Sequence, residues 1–314
     1  MNYKQLLFGL ATNVPGVFGL FSNTGGTSCA RYCYSVWLRH LWMAHESGLL
    51  TSWPRDVAEL GPGDSLGIGL AALISGVETY HAFDAVPFSD ASRNLAIFDE
   101  LVQLFRARQS IPDQAEFPLV RPLLKRYEFP THILTEDWLA NALAPARLGR
   151  IRNALAQVIQ THANTDCIAY VAPWNDPTLL AASTVDMLYS QAVLEHVDDL
   201  EAVYRSFAQW LRPTGWMSHD IDFTSHGIAD TWSGQWAFSS RLWKLIRGQR
   251  PYLLNRQPLA THEKLINRFG FEIVREVKEI DRTGLSRDRL APEFKDISED
   301  DLITKTTFLQ AVKK

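Results

Sequence analysis

The chain has 314 residues, 46% of them hydrophobic, with 31 basic and 35 acidic side chains for a net charge of −4. That is enough apolar material for a full core, and too even a charge balance for an electrostatic grip on nucleic acid, which needs a concentrated basic face. Three cysteines, Cys29, Cys33 and Cys167, make no disulfide framework. The x3 spacing of the first two is not that of a zinc knuckle or redox pair, so they read as small buried residues in a reducing setting.

Lys4 ahead of the apolar stretch 6–10 resembles the start of a signal peptide, but Asn13, Pro15 and Gly16 break the run and no clean cleavage site follows. No segment reaches the roughly 18 apolar residues of a membrane span. The expectation is a cytoplasmic protein without a membrane partner. Gly25-Gly26-Thr27-Ser28 reads as a turn and cap ahead of a helix over 29–46, where Tyr34, Trp37, Leu38, Leu41, Trp42 and His45 recur at three- and four-residue steps. Residues 1–52 are thus an aromatic helical cap and 53–314 the main domain.

That domain opens on Val57–Leu60, a short strand carrying Glu59 near its end. Gly61 and Gly63 follow at alternate positions, and a helix begins at Ser65-Leu66 with Leu70, Leu73, Ile74 and Val77 on its apolar face. A strand, a tight glycine turn and a helix start cradle a nucleotide-like ligand in α/β proteins, because glycine permits positive φ and leaves room for a ligand on the backbone. Tyr80–Phe83 reads as the second strand, ending at Asp84, where a carboxylate is placed to accept hydrogen bonds from a ribose diol. Residues 90–164 read as a helical insertion, with helices over 95–108, 136–143 and 148–161 around a proline-punctuated stretch, and suggest a lid or substrate-side subdomain. The sheet resumes at Cys167–Val171. A loop through Trp174, Asn175 and Asp176 leads to the strand Val185–Ser190. Asp198 is the expected cap of a helix whose apolar face is Leu200, Val203, Tyr204, Phe207 and Leu211. The turn Arg212-Pro213-Thr214-Gly215 leads into the strand Trp216–Phe223. Then come a helix over 261–269 stopped by Gly270, a strand Phe271–Val277, and a last strand Leu302–Val312 expected to be antiparallel at the edge. The fold class is α/β: a doubly wound, Rossmann-like seven-stranded sheet.

Four of these pieces, in order, carry a family resemblance. Glu59-Leu60-Gly61-Pro62-Gly63, Asp84, the segment 185–197 ending in Leu194-Glu195-His196-Val197, and Leu211-Arg212-Pro213-Thr214-Gly215-Trp216 resemble the motifs of class I S-adenosylmethionine (SAM)-dependent methyltransferases, in particular the type-11 group. The match covers roughly 55–89 and 165–225. It departs from the family at Ser65 and Thr214, where glycine is usual.

The resemblance implies SAM as cofactor. Glu59 would lie near its methionine ammonium, Gly61 and Gly63 under the methionine part, and Asp84 on the ribose. Ala85, Trp174, Asn175 and Asp176 would lie around the adenine, and Ser190 and Gln191 where donor meets acceptor. Because the sulfonium is already a good leaving group, the chemistry needs alignment and, for a hydroxyl acceptor, a base. Histidine, with an unperturbed pKa of about 6.5, suits that role. His219 is the first choice, bracketed with Asp222 and His226 at a strand end, and His196 is a further candidate. His219, Asp222 and His226 could also hold a divalent cation, but the spacing is no recognised ligand pattern and no metal is expected.

The reading is therefore a SAM-dependent methyltransferase acting on a small-molecule or glycan-type acceptor, at oxygen, with homodimer formation left open. Two alternatives stay: a non-catalytic SAM-binding regulatory or partner-binding module, and an NAD(P)-dependent oxidoreductase. The latter is disfavoured because the G-x-G-x-x-G pattern would need glycine at Leu66.

Overall fold

The computed structural model describes residues 3–12, 26–86, 91–161, 163–174, 176–250 and 252–314. Seven strands form one sheet: β1 (Asp56–Leu60), β2 (Thr79–Phe83), β3 (Ile168–Val171), β4 (Val185–Gln191), β5 (Leu211–Asp222), β6 (Phe271–Ile280) and β7 (Thr304–Lys313). Their spatial order is β3-β2-β1-β4-β5-β7-β6. The ladders from β3 through β5 are parallel, and β7 runs antiparallel between β5 and β6. The antiparallel strand is therefore the expected one, but it sits one place in from the edge, where its apolar residues Phe308, Leu309 and Ala311 are buried on both sides. The outermost strand, β6, alternates Glu272, Arg275, Glu276 and Lys278 with its apolar positions, a pattern that discourages further pairing.

Helices cover both faces. On one lie α2 (Ala30–Glu46), α3 (Gly67–Ser75), α4 (Ala91–Arg106) and α6 (Pro145–Thr161), which share a single apolar core with Val57, Tyr80, Met187 and Tyr189 of the sheet. On the other, α7 (Leu200–Trp210) and α9 (Leu259–Arg268) pack on Leu60, Leu188, Met217 and Leu309. Three short helices complete the set of those that matter here: α1 (Tyr3–Ala11), packed on α8 (Ser240–Arg247), and α5 (Glu136–Ala142). The α1–α8 contact is close because Gly9 has no Cβ to collide with the Leu245 carbonyl.

The segment 90–164 does not stand off as a lid. Ile97, Phe98, Leu101, Phe105, Leu148, Ile151 and Leu155 join the same core as α2 and α3, and the Asn94 side chain accepts from the Leu66 amide at 2.8 Å, serving the otherwise uncapped start of α3. The proline-rich stretch is anchored by Arg39, fully buried on α2, whose guanidinium donates to the carbonyls of Pro112 at 2.8 Å and Pro122 at 2.6 Å. The tryptophans of the aromatic segments are mostly packing residues: Trp37, Trp42, Trp236 and Trp243 are buried.

One helix start moves. Asp199, not Asp198, caps α7, its carboxylate accepting from the Ala202 amide at 2.9 Å, while Asp198 pairs with Arg247 at 2.6 Å. Gly270 follows α9 at φ +83°, the left-handed stop expected there.

Candidate active site

The glycine corner lies at the carboxyl ends of β1 and β2. Gly61 and Gly63 both have positive φ, at +70° and +73°, and a Cβ on Gly61 would run into the Val193 side chain. The Gly61 amide donates to the Phe83 carbonyl at 2.8 Å, which ties the corner to the end of β2. Ser65 occupies the usual third glycine position for a visible reason. Its amide donates to Thr27 Oγ1 at 3.0 Å and its hydroxyl to the Thr27 carbonyl at 2.5 Å, so the turn is laced to the segment that leads into α2.

Glu59 is 1% exposed, on the face covered by α2 and α3. The Tyr80 hydroxyl donates to its carboxylate. Burial nevertheless pushes its pKa up to about 7, helped by the nearby charge of Asp84. Asp84 is also buried, and burial raises it to about 6, against the pull of hydrogen bonds from the amides of Ala85, Gly63 and Val86. Its Oδ1 accepts from Ala85 at 2.7 Å, whereas its Oδ2 has no partner in the protein. An orphaned carboxylate oxygen beside a glycine cradle, with a second buried acid close by, fits a ligand bearing a diol and a cation.

The loop expected around the adenine is held by the protein's own contacts. The Trp174 amide donates to the Asp84 carbonyl at 2.9 Å, holding the loop against the corner, but the indole packs on Phe83 and Trp210. Asp176 caps a short 3-10 helix through the Thr178 amide at 2.8 Å, so that oxygen is already used. Asn175 lies outside the described residues.

At the ends of β4 and β5, alternation decides which side chains meet. Ser190 and His219 face α7, not the corner. Ser190 Oγ is 2.8 Å from His219 Nδ1, the imidazole stacks on Phe207, and neither residue has any exposed surface. Burial first, then His40 and His262, drives the His219 pKa well below its usual value. The first-choice base is therefore a core residue whose Nε2 reaches no partner and no solvent, and Ser190 is its packing partner rather than a lining residue.

Gln191, Asp220 and Asp222 point the other way. Gln191 Nε2 donates to Asp220 at 2.6 Å, and its Oε1 accepts from His40 Nε2 at 3.2 Å. His40 Nδ1 in turn accepts from the Ser218 hydroxyl at 2.7 Å. Burial holds His40 neutral, at about 4, and raises Asp220 to about 8 with help from Asp222. Tyr32, on the first turn of α2, is coupled electrostatically to both Asp220 and Glu59. His40 is the member of this chain that the sequence reading does not name; its only trace there is a histidine three residues after Trp37, on a face otherwise made of core residues.

Beyond it, Asp222 Oδ2 lies 3.2 Å from His226 Nε2, and the His226 ring meets that of His196 edge-on at 5.1 Å. Burial opposes the ionised form of Asp222, but the hydrogen bond and charge of His226 carry its pKa below the usual value. His196 is held by the Tyr252 carbonyl at 2.8 Å, and burial lowers it to about 4. Asn255 latches this loop: its side-chain amide donates to the carbonyls of Leu194 at 2.7 Å and Val197 at 2.8 Å, and its backbone amide to that of Glu195 at 2.7 Å. The structure thus gathers His196, Asp222 and His226 and separates His219 from them.

A family model described as a methyltransferase domain, of the type-11 group, matches residues 150–218, from within α6 to the middle of β5. The chain carries a class I SAM-dependent methyltransferase domain. SAM is the methyl donor.

No curated protein matches the sequence. Among solved structures, the chain is similar to a SAM-dependent methyltransferase of Mesorhizobium loti at 15% identity, covering 87% of this chain and 98% of that one with a TM-score of 0.42. It is also similar to SAM-dependent methyltransferases of Methanosarcina mazei (11% identity, 86% and 96% covered, TM-score 0.44). A third likeness is to phosphoethanolamine N-methyltransferase 2 of Haemonchus contortus in complex with S-adenosyl-L-methionine (13%, 90% and 56%, TM-score 0.42). At such identities these likenesses decide nothing about the acceptor. No helix among the described residues is long and apolar enough to cross a membrane.

Proposed function

We propose that this methyltransferase transfers its methyl group to a hydroxyl of a small-molecule or glycan-type acceptor, and that the acceptor's proton is lost to the cluster at the ends of β4 and β5. The observation that carries this reading is the Asp222–His226 pair: a half-exposed imidazole held by a carboxylate at 3.2 Å, with His196 beside it, on the same sheet edge as the cofactor corner. When bound, SAM supplies an activated methyl group. The chain's own work is then to hold the two reactants in line and to accept a proton. Glu59 and Asp84 hold the donor by its cationic and diol ends. Gln191, fixed between His40 and Asp220, closes the floor between donor and acceptor.

The test is transfer of isotopically labelled methyl from SAM into a metabolite extract, with identification of the labelled product. Replacing His226 with alanine, or Asp222 with asparagine, should lower kcat by about 10²- to 10⁴-fold while leaving SAM binding by calorimetry unchanged. Variants that methylate at the parent rate would sink the assignment. No labelled product from any extract, with SAM still bound, would favour a SAM-binding module without catalysis.

A further inference from the structure

Glu195 is the least comfortable residue in the molecule. It is 3% exposed, and neither carboxylate oxygen has a hydrogen-bond partner. An unpaired carboxylate in such a place is costly, and buried charges in folded proteins are paired or bound to a cation. Its neighbourhood makes matters worse, because the Asp222 carboxylate adds negative charge beside it. Arg256 lines the same small cavity but makes no hydrogen bond or ion pair with Glu195: its Nη1 donates to the Phe238 carbonyl at 2.6 Å, its guanidinium lies between the rings of Trp243 and Phe294, and its Nε has no partner. No salt bridge reaches Glu195 among the described residues.

Two imidazoles converge on this acid. One ligand atom from each of Glu195, His196 and His226 lies within 4.8 Å of the others. Bonds of about 2.0–2.2 Å from a cation to nitrogen and oxygen ligands would be reached by small side-chain rotations. His196 is prepared for such a role. Its Nδ1 faces the Tyr252 carbonyl, which only accepts, so the proton sits there and the lone pair is on Nε2. The Asp222 carboxylate stands against His226, where it either orients the imidazole from behind or supplies a fourth ligand.

We propose that Glu195, His196 and His226 form a binding site for a first-row divalent cation. Two imidazoles and one carboxylate suit Zn²⁺, Co²⁺ or Mn²⁺ better than the all-oxygen preference of Mg²⁺ or Ca²⁺, and leave coordination positions open. The cation gives the buried Glu195 carboxylate the partner it lacks. Its role in turnover rests on the reading that this cluster faces the acceptor: with the cation in place His226 is a ligand, and a hydroxyl on the cation ionises more readily than a free one. The site itself does not depend on that reading.

Co²⁺ titration of the full-length, chelator-treated protein tests it, followed by visible absorption and by competition with Zn²⁺. One saturable site with d–d bands is expected. Glu195→Gln, His196→Ala and His226→Ala should each weaken binding by about 10- to 100-fold. His132→Ala, which disrupts the separate His45–His132 pair across the molecule, should leave it unchanged. SAM affinity by calorimetry checks that each variant is folded. Absence of saturable binding in folded parent protein, equal binding by all variants, or loss in the His132 variant alone would each overturn the cation site. Methylation that depends on His226 in a protein that binds no Co²⁺ would overturn it too, while upholding the base.

Discussion

Glu59 and Asp84 show how two acids can be kept ready for a cation. In the unliganded fold Glu59 titrates at about 7 and Asp84 at about 6, both raised chiefly by burial. An acid whose folded-state pKa lies above its unfolded value binds an extra proton when folded, so the fold loses stability as pH rises from the unfolded pKa, near 4.5 for Glu59, through about 7. A ligand ammonium placed beside Glu59 reverses that cost by favouring the carboxylate, so binding releases a proton. SAM affinity should therefore climb from about pH 5.5 to about pH 7 and then level. Glu59→Gln should weaken binding at pH 7 and flatten the Glu59 share of this dependence, leaving the smaller rise due to Asp84. Calorimetry across the pH range, in buffers of different ionisation enthalpy, reads both the affinity and the released proton. A flat profile in the parent would remove Glu59 from the cofactor site.

Among the elements, the start of β5 illustrates what the sequence displays and what it hides. Leu211-Arg212-Pro213-Thr214-Gly215 reads as a turn from its proline and glycine, whereas the structure makes it the first, bulged part of β5, with Thr214 at φ +65° where the related motif has glycine. A β-branched residue there costs roughly 1–2 kcal/mol, partly offset because glycine loses more freedom on folding. Thr214→Gly should thus stabilise the protein by up to about 1 kcal/mol, a rise of up to about 1.5 °C in Tm, read by a thermal scan; a fall would mean that the bulge relies on the threonine side chain. The strands and helices were legible for the same kind of reason, since short apolar runs and punctuation are local. What stayed hidden is set by pleat and by distance along the chain. Ser190 and His219 pair on the α7 face because each strand alternates its side chains, and a one-residue difference separates them from Gln191 and Asp220. His40 reaches Gln191 across 151 positions, and Asn94 serves α3 from a segment that read as an insertion. Glu195 and His196 were visible as a motif, yet only the fold brings His226 to them.

At the scale of the molecule, one sheet carries two cores, and the cofactor corner joins them. Glu59 and Tyr80 belong to the face covered by α2, α3, α4 and α6, while Leu60 and Phe83, one and three residues further along the same strands, belong to the face covered by α7 and α9. A ligand bound at the corner therefore ties both layers and stabilises only the state in which both are formed. Mass action sets the size: at about 100 times Kd a ligand that binds the native state alone adds about 2.7 kcal/mol. For a chain of this length that corresponds to a rise in Tm of roughly 4 °C. SAM and S-adenosylhomocysteine should both produce the shift as one cooperative transition, because both carry the diol and the ammonium. Asp84→Asn should lose most of it by replacing the free acceptor oxygen, and a nicotinamide dinucleotide should produce none. A thermal scan with each ligand separates the outcomes: a shift from the dinucleotide and not from SAM would contradict the cofactor assignment. Two transitions, with only one responding to SAM, would show that the layers fold apart and that the corner belongs to one of them.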